Sequence, residues 1–471
     1  MTNSILNKIK TVLVSDINKK TSTHNYKTSE INEILPFEIE VSSEYKIAFR
    51  VLELGCPLVF LTGKAGTGKS TFIQYFRSKT NKRIAVVAPT GVAALNIRGQ
   101  TIHSFFRFPP RIIDTDDIKR VFNKILYEKL EILIIDEASM LRVDLLDCID
   151  LFLRKNSKSP QLPFGGVQLV LVGDLFQLPP VAPKEEWEIL ESRGYETPYF
   201  FSAKCIQFCR LAFIELTKIY RQENRYFIQL LNCIREGINP TDTIHKINSH
   251  CYRETYQNSS NSDITLTCTN KKASEINYSK LNTLPTQEYT YEGTITGDFN
   301  IQRNKLPSPF LLRLKVGSQI MFTKNDGRRR WVNGTLGNIS KLSSDKIWVT
   351  VEKKLYDVEK VSWETLKYEY DKHEDKIVTK VKGRYTQFPL ILAWAITIHK
   401  SQGKTLKNVC IDLGDGAFDF GQTYVALSRC PTINDIKLKK PLNMNDVKVD
   451  SKIIEVYSYL REHTTSAANT G

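Results

Sequence analysis

The sequence predicts an α/β fold: two parallel sheets, each covered by helices on both faces, one following the other along the chain. Four apolar runs, LVFLTG from Leu58, IAVVAPTG from Ile84, LEILIIDEASM from Leu130 and VQLVLVGD from Val167, each lead through a polar turn into the next stretch of chain. Three more follow Leu216: ITLTC from Ile264, FPLILAWAIT from Phe388 and VCIDLG from Val409. Between the first two of these, from about Gly334 to Gln387, the segments IWVTVEKKLYDVEKVSW and KIVTKVKGRY alternate apolar with charged residues. Continuous apolar runs mark strands buried on both faces of a βαβ sheet, whereas alternation marks half-buried antiparallel strands. The expected layout is a first α/β domain over 38–215, a second over 216–333 and 390–460, a small β-barrel over 334–389 inserted into the second, and tails at 1–37 and 461–471. Ligands are expected where the parallel strands end.

Composition narrows the partners. The chain has 471 residues, with 66 Lys and Arg against 51 Asp and Glu, a formal charge of +15. That excess suits a polyanion such as nucleic acid, although lysine-rich solvated faces produce the same number. Nine cysteines form no repeated CxxC pair, so no zinc site is outlined. The first fifteen residues are too polar for a signal peptide, and no apolar run approaches the roughly 20 residues needed to span a bilayer. The expectation is a soluble, cytoplasmic, monomeric protein without membrane contact, from a bacterium or phage, or nuclear or mitochondrial if eukaryotic.

Chemistry enters at GKAGTGKS, Gly63 to Ser70, which has the spacing G-x-x-x-x-G-K-[ST] between a strand-like and a helix-like segment. Gly63, Gly66 and Gly68 let the backbone turn its N–H groups onto phosphate oxygens at the positive end of a helix. Lys69 supplies a charge toward the β- and γ-phosphates, Ser70 a hydroxyl toward Mg²⁺, and Thr67 a further donor. ILIIDEAS then sets Asp136 and Glu137 at a strand end, the first to hold the metal and the second to act as base on water. Gln177, in VLVGDLFQLPPV, is placed to bond the γ-phosphate; a turn residue capped by Pro179 and Pro180 is the plainer reading.

Phosphoryl transfer spreads charge over equatorial oxygens, where an arginine is worth about 10³–10⁵ in rate. Arg221 in LTKIYRQ and Arg429 in TYVALSRC suit that role if both reach across a cleft from the second domain.

Together GKAGTGKS, APTGVAALNIRGQTIHSFF, LIIDEASM, FGGVQLVLVGDLFQLPPV, LTKIYRQ, WVNGTLGNI, AWAITIHKSQGKTL and YVALSRC resemble the petite-integration-frequency (PIF) family of superfamily-one DNA helicases, in order, from about residue 57 to 440. The segment DLLDCIDLFLRKN from Asp144 is similar to one that separates this family from its neighbours. The resemblance implies two RecA-like domains, a wedge insertion at about 105–127 in the first, and ATP-driven 5′-to-3′ translocation on single-stranded DNA with unwinding of forked or structured duplex in replication, repair and telomere maintenance. A recombination or conjugation-type helicase shares these motifs, and a nucleotide-gated single-strand clamp is the reading from another class. Ala65, Thr71 and Gly403 join the implied ATP site. Thr90, Thr101, His103, Ser104 and Phe105 on the first domain, and Asn333, Thr397, His399, Lys400 and Ser401 on the second, are the implied DNA contacts. Hydroxyls, amides and Lys bond phosphates without reading bases, as a motor on any sequence requires. Phe105, Phe106 and Phe108 in FFRFPPR could stack on bases, split the duplex, or pack in the core. One departure concerns adenine: relatives carry a glutamine before the P-loop, but here no Gln precedes Gln74, and Tyr45 stands near its place.

Overall fold

The structure, a computed structural model, describes residues 9–12, 41–254, 263–299 and 301–465. The first sheet is parallel throughout and seven-stranded, built from β1 (Lys10–Val12), β2 (Leu58–Gly63), β3 (Ile84–Ala88), β4 (Gln100–Thr101), β5 (Ile132–Ile135), β6 (Gln168–Gly173) and β7 (Arg210–Leu216) in the order β1-β7-β2-β6-β5-β3-β4. Its apolar runs are buried on both faces for a geometric reason: successive side chains point to opposite sides. Leu58, Phe60, Leu133, Ile135, Leu169 and Leu171 enter one core. Their alternates Val59, Leu61, Ile132, Ile134, Val170 and Val172 enter the other.

The second parallel sheet centres on β8 (Ile264–Thr267) and is completed near the end of the chain. Between them lies an insertion larger than the expected barrel at 334–389. It begins with β9 (Glu288–Glu292), β10 (Thr294–Gly297) and β11 (Leu311–Lys315), continues through β12 (Gln319–Phe322), β13 (Leu336–Leu342), β14 (Ile347–Val351) and β15 (Lys354–Val358), and ends with β16 (Val361–Asp371), β17 (Lys376–Gln387) and β18 (Leu390–Leu392). The pair β11-β9 and the antiparallel sheet β15-β14-β13-β12-β18 enclose one core of Leu312, Leu314, Ile320, Phe322, Trp331, Ile339, Val349 and Leu390. The earlier strands escaped the sequence reading because β9 and β10 are short and mostly exposed, so no long alternation marks them. After the insertion come β19 (Ala395–Thr397), β20 (Val409–Asp412) and β21 (Ile436–Leu438), giving the parallel order β19-β8-β20-β21.

The β16–β17 hairpin leaves the insertion and rests on the first domain. Tyr368 accepts a hydrogen bond from Val86 N at 3.0 Å and donates to Val86 O at 3.2 Å. It takes up the edge of β3 that the two-residue β4, paired only at Val87 and Ala88, leaves open. Asp375 at the turn bonds Arg83 at 3.0 Å.

The expected tails at 1–37 and 461–471 are corrected where the structure describes them, at 9–12 and 461–465, and the rest of each lies outside the described residues. Residues 10–12 form β1 beside β7, and Ile9 is buried in the first core. The final helix, Ser451–Thr465, packs on the first domain rather than ending the second: Ile453, Val456, Tyr457 and Leu460 join that same core, and Arg461 grips Glu215 with two bonds of 2.9 and 2.7 Å. A stretch this charged reads as a solvated end until the sheet it covers is known. Among the described residues no helix is long and apolar enough to cross a membrane. Replacing Leu460 by Ala should lower unfolding free energy by about 2–5 kcal/mol, measured by urea denaturation, because it leaves a cavity in the first core; an unchanged midpoint would mean that the helix is a tail.

Candidate nucleotide and nucleic-acid site

The parallel register brings three strand ends together. Thr62 lies opposite Gly173, and Ile135 opposite Leu171, so Gly63 and Asp174 emerge side by side, with Asp136 two residues lower along β6. The loop after β2 turns through left-handed Gly66 and Gly68, at φ 85° and 83°. A side chain at Gly66 would meet Cβ of Arg221 at 2.7 Å, and one at Gly68 would meet the Tyr45 hydroxyl. Helix Lys69–Lys79 starts at Gly68 with no side chain capping its N–H groups, the arrangement that receives an anion. Lys69 donates to the carbonyls of Gly63 and Lys64 at 2.6 and 3.1 Å, which holds its ammonium across the cradle. Burial pushes that ammonium below its ordinary pKa, while Asp174, Glu137 and Asp136 pull it upward. Ser70 and Thr71 face solvent at the start of the helix, and Thr67 is buried, donating to Lys64 O at 2.9 Å.

Asp136 and Glu137 follow β5. Burial raises both carboxyls, and for Asp136 the neighbouring Glu137 adds to the rise. Glu137 sits at φ 54°, a region costly for a residue with a side chain and common at functional sites. Its Oε2 accepts from Gln402 Nε2 at 3.0 Å, and the same nitrogen donates to Gln177 Oε1 at 3.1 Å. Gln402 comes from the second domain and escaped the sequence reading, although it lies inside the AWAITIHKSQGKTL string.

Both arginines are held by groups of the second α/β domain. Arg221 donates to Thr405 Oγ1 at 3.1 Å, to the Ser428 carbonyl at 3.2 Å and to the Gly403 carbonyl at 3.5 Å. Arg429 is 1% exposed and donates to the Val425 carbonyl at 2.8 Å, the Ser428 hydroxyl at 2.8 Å and the Ser401 carbonyl at 3.4 Å. Among the described residues neither forms an ion pair. Burial and the nearby Arg221 pull the Arg429 guanidinium down to about 9, so the position is costly until an anion arrives.

Tyr45 does not stand in for the missing glutamine as a reader of the base. It is buried, its hydroxyl donates to Gly68 O at 2.7 Å, and its ring packs edge-on against Phe72 at 5.2 Å. It props the loop from beneath.

The proposed nucleic-acid residues fall into two groups. Thr90, Thr101 and Thr397 each cap a short helix, accepting from Ala93 N, Ser104 N and Lys400 N at 3.2, 3.1 and 3.2 Å. His103, Ser104, Asn333, His399 and Lys400 keep exposed or half-exposed side chains. Burial lowers the pKa of both His103 and His399. Asn333 accepts from Lys404 Nζ at 2.8 Å, and burial brings that lysine down to about 8. Two members of the set are corrected. Ser401 is fully buried and donates to Ile398 O at 2.7 Å, so it braces its own turn. Phe105 is 3% exposed, edge-on to Phe106, Tyr127 and Tyr368, and Phe106 and Phe108 are buried with it. In the expected wedge segment the ring in solvent is that of Phe122, at 107% relative exposure.

A family model described as PIF1-like helicase matches residues 43–244. The ATP-dependent DNA helicase Pif1 of Bdellovibrio bacteriovorus is 33% identical over 441 residues, covering 89% of this chain and 92% of that one. The crystal structure of Bacteroides sp Pif1 in complex with ADP-AlF4 is 34% identical with a TM-score of 0.81, covering 90% of this chain and 98% of that one. Bacteroides Pif1 bound to single-stranded DNA, 35% identical over the same shares, superposes at 0.65, while unliganded Bacteroides Pif1 superposes at 0.79, so the arrangement here is nearer to the DNA-free structures.

Replacing Phe105 by Leu should cost up to about 1.5 kcal/mol of stability and leave single-strand affinity within about twofold. Phe122→Ala should leave stability within about 0.5 kcal/mol. Chemical denaturation and fluorescence anisotropy check both, and a selective loss of affinity in the Phe105 variant would return that ring to the DNA surface.

Proposed function

The chain belongs to the PIF1-like helicase family and is an ATP-dependent DNA helicase with single-stranded and forked DNA as partners, and we propose that it moves 5′ to 3′ by closing the cleft between its two α/β domains on each ATP. In this reading the loop Gly63–Ser70 cradles the phosphates, with Lys69 as the charge on the β- and γ-groups. Ser70 and Asp136 offer hard oxygen donors at adjacent element ends, a pair suited to a Mg²⁺ that also keeps phosphate and water ligands. When bound there, the metal would supply charge to offset that of the phosphates.

Glu137 is the base. Burial raises its carboxyl, which strengthens its hold on a proton taken from water, and Gln402 fixes the orientation of the side chain. Arg221 and Arg429 enter from the second domain to neutralise the transferring phosphoryl group, and Gln177 bonds the γ-phosphate. The observation that carries the reading is two arginines without an ion pair among the described residues, one with its Cβ packed on Gly66 and one fully buried. A clamp that merely held DNA would not require this hydrolytic set. For DNA, Thr90, Thr101, His103 and Ser104 on the first domain and Asn333, His399 and Lys400 on the second are the phosphate contacts, while Thr397, 3% exposed, caps the turn that carries His399 and Lys400. Phe122 is the ring placed to meet the duplex junction.

Arg429→Ala should lower DNA-stimulated kcat by about 10³ or more while ADP affinity changes by only a few fold. Glu137→Gln should abolish turnover and still bind nucleotide; steady hydrolysis by that variant would remove Glu137 from the base role. On forks carrying one single-stranded tail, unwinding is expected from the 5′ tail alone. Single-strand affinity should fall linearly in a log–log plot against salt and vary little with base sequence, so a flat salt profile would sink the assignment of phosphate contacts.

A further inference from the structure

The cleft has a second edge, opposite the guanidiniums of Arg221 and Arg429 in character. Asp174, at the end of β6, forms a fully buried ion pair with Arg235 of the helix Arg225–Glu236: Nη2 lies 2.8 Å from Oδ1, and Nε reaches both oxygens at 3.3 and 3.4 Å. The guanidinium lies over the ring of Phe176, 4.0 Å from its centroid, with the Tyr457 ring of the final helix at 5.4 Å. The other carboxylate oxygen takes the Tyr424 hydroxyl at 3.4 Å and Gln177 Nε2 at 3.5 Å. The Tyr424 hydroxyl in turn accepts from Ala65 N, inside the P-loop, at 2.9 Å. Gly421, at the start of the helix Gln422–Leu427, presses so closely on Phe176 and Gln177 that a Cβ there would strike both carbonyl oxygens. The second domain therefore holds the segment Asp174–Gln177 from three sides, and none of these groups is used in the proposed hydrolysis except Gln177.

We propose that the Asp174–Arg235 pair is the pivot about which the two domains turn when the cleft opens and closes, with Tyr424 as the positioning residue that ties this pivot to the P-loop. Separating the pair would strip Asp174 of its guanidinium in a buried site and leave Arg235 with Glu236, 2.7 Å from Nη1, as its remaining counter-charge, an unfavourable state. Rotation about it keeps the charge contact and lets the guanidinium turn on the flat face of Phe176. Motions that part the domains here are therefore rare beside motions that swing Arg221, Gln402 and Arg429 toward and away from the phosphates. Burial favours the neutral Asp174 acid, but Arg235 and Lys69 together hold the carboxyl below its ordinary value, so the pair stays charged. The pivot rests on the reading that Arg221 and Arg429 meet the γ-phosphate, since its role is to set their approach.

The test uses the full chain with single-stranded DNA and the variants Arg235→Lys, Tyr424→Phe and their combination, all of which retain Arg221 and Arg429. Lysine keeps the charge but loses the forked grip, and phenylalanine removes only a hydroxyl. Each single variant is expected to lower DNA-stimulated kcat about tenfold through misplacement of the second domain, while ADP affinity, made by the first domain, stays within about threefold. The double variant should fall no further than the worse single, because both act through one carboxylate. ADP affinity that drops in step with kcat would reduce the cluster to a prop for the loop and overturn the pivot. So would losses that multiply in the double variant, or full activity in both singles. If Arg235→Lys fails to fold, the split between kcat and ADP affinity in Tyr424→Phe decides alone. Failure of the underlying phosphate reading would show separately, as turnover retained in Arg429→Ala.

Discussion

The register of three parallel strands is the constraint on which the rest of the site depends. Pairing of β2 with β6 and of β6 with β5 places Thr62 opposite Gly173 and Leu171 opposite Ile135. The loop after Gly63 and the Asp174 carboxylate thus leave the sheet at one level, with Asp136 and Glu137 within two residues of it. Slipping any strand by one residue would turn its buried faces inside out and carry its functional end away from the others. The register is defended by close packing: Gly173 has no room for a side chain, since a Cβ would lie 2.9 Å from Ala138 N. The apolar runs that bury β2, β5 and β6 on both faces and the chemistry at their ends are therefore one design.

Electrostatics then divides the cleft into two regimes. On one side, Lys69, Arg221 and Arg429 are held by carbonyls and hydroxyls, with no carboxylate in hydrogen-bond contact among the described residues. Cations so arranged are poised for a polyanion, and their desolvation is relieved when one binds. On the other side, Arg235 is paired with Asp174 and Glu236, and Asp174 also accepts from Tyr424 and Gln177. The same residue types do opposite work: unpaired charge makes a binding edge, and paired charge makes a sealed one.

The insertion shows how far a small β-body can act from its own core. Its sheet and its β11-β9 pair close around Phe322, Trp331 and Leu390, yet the β16–β17 hairpin continues past that core to the first domain. Tyr368 makes this contact specific by completing backbone hydrogen bonds that the short β4 leaves unmade, in a place where an unpaired group would be costly. The first domain is in this sense finished by residues almost three hundred positions downstream, and by the final helix over its other side.

What the sequence by itself determined is the chemistry that lives in contiguous strings. Gly63 to Ser70, Asp136 with Glu137, and the two α/β series were legible because strand, turn and helix follow one another within a few residues, and local geometry dictates which residue types can serve there. Only the tertiary structure decided the rest. FFRFPPR reads the same whether its rings face a base or a core, and packing against Tyr127 and Tyr368 buried Phe105 while leaving Phe122 outside. Gln402 meets Glu137 across 265 positions, and Tyr424 meets Ala65 across 359. No periodicity encodes such meetings, because they arise when two sheets of fixed register are packed against each other, and a buried charge finds its partner only after both domains exist.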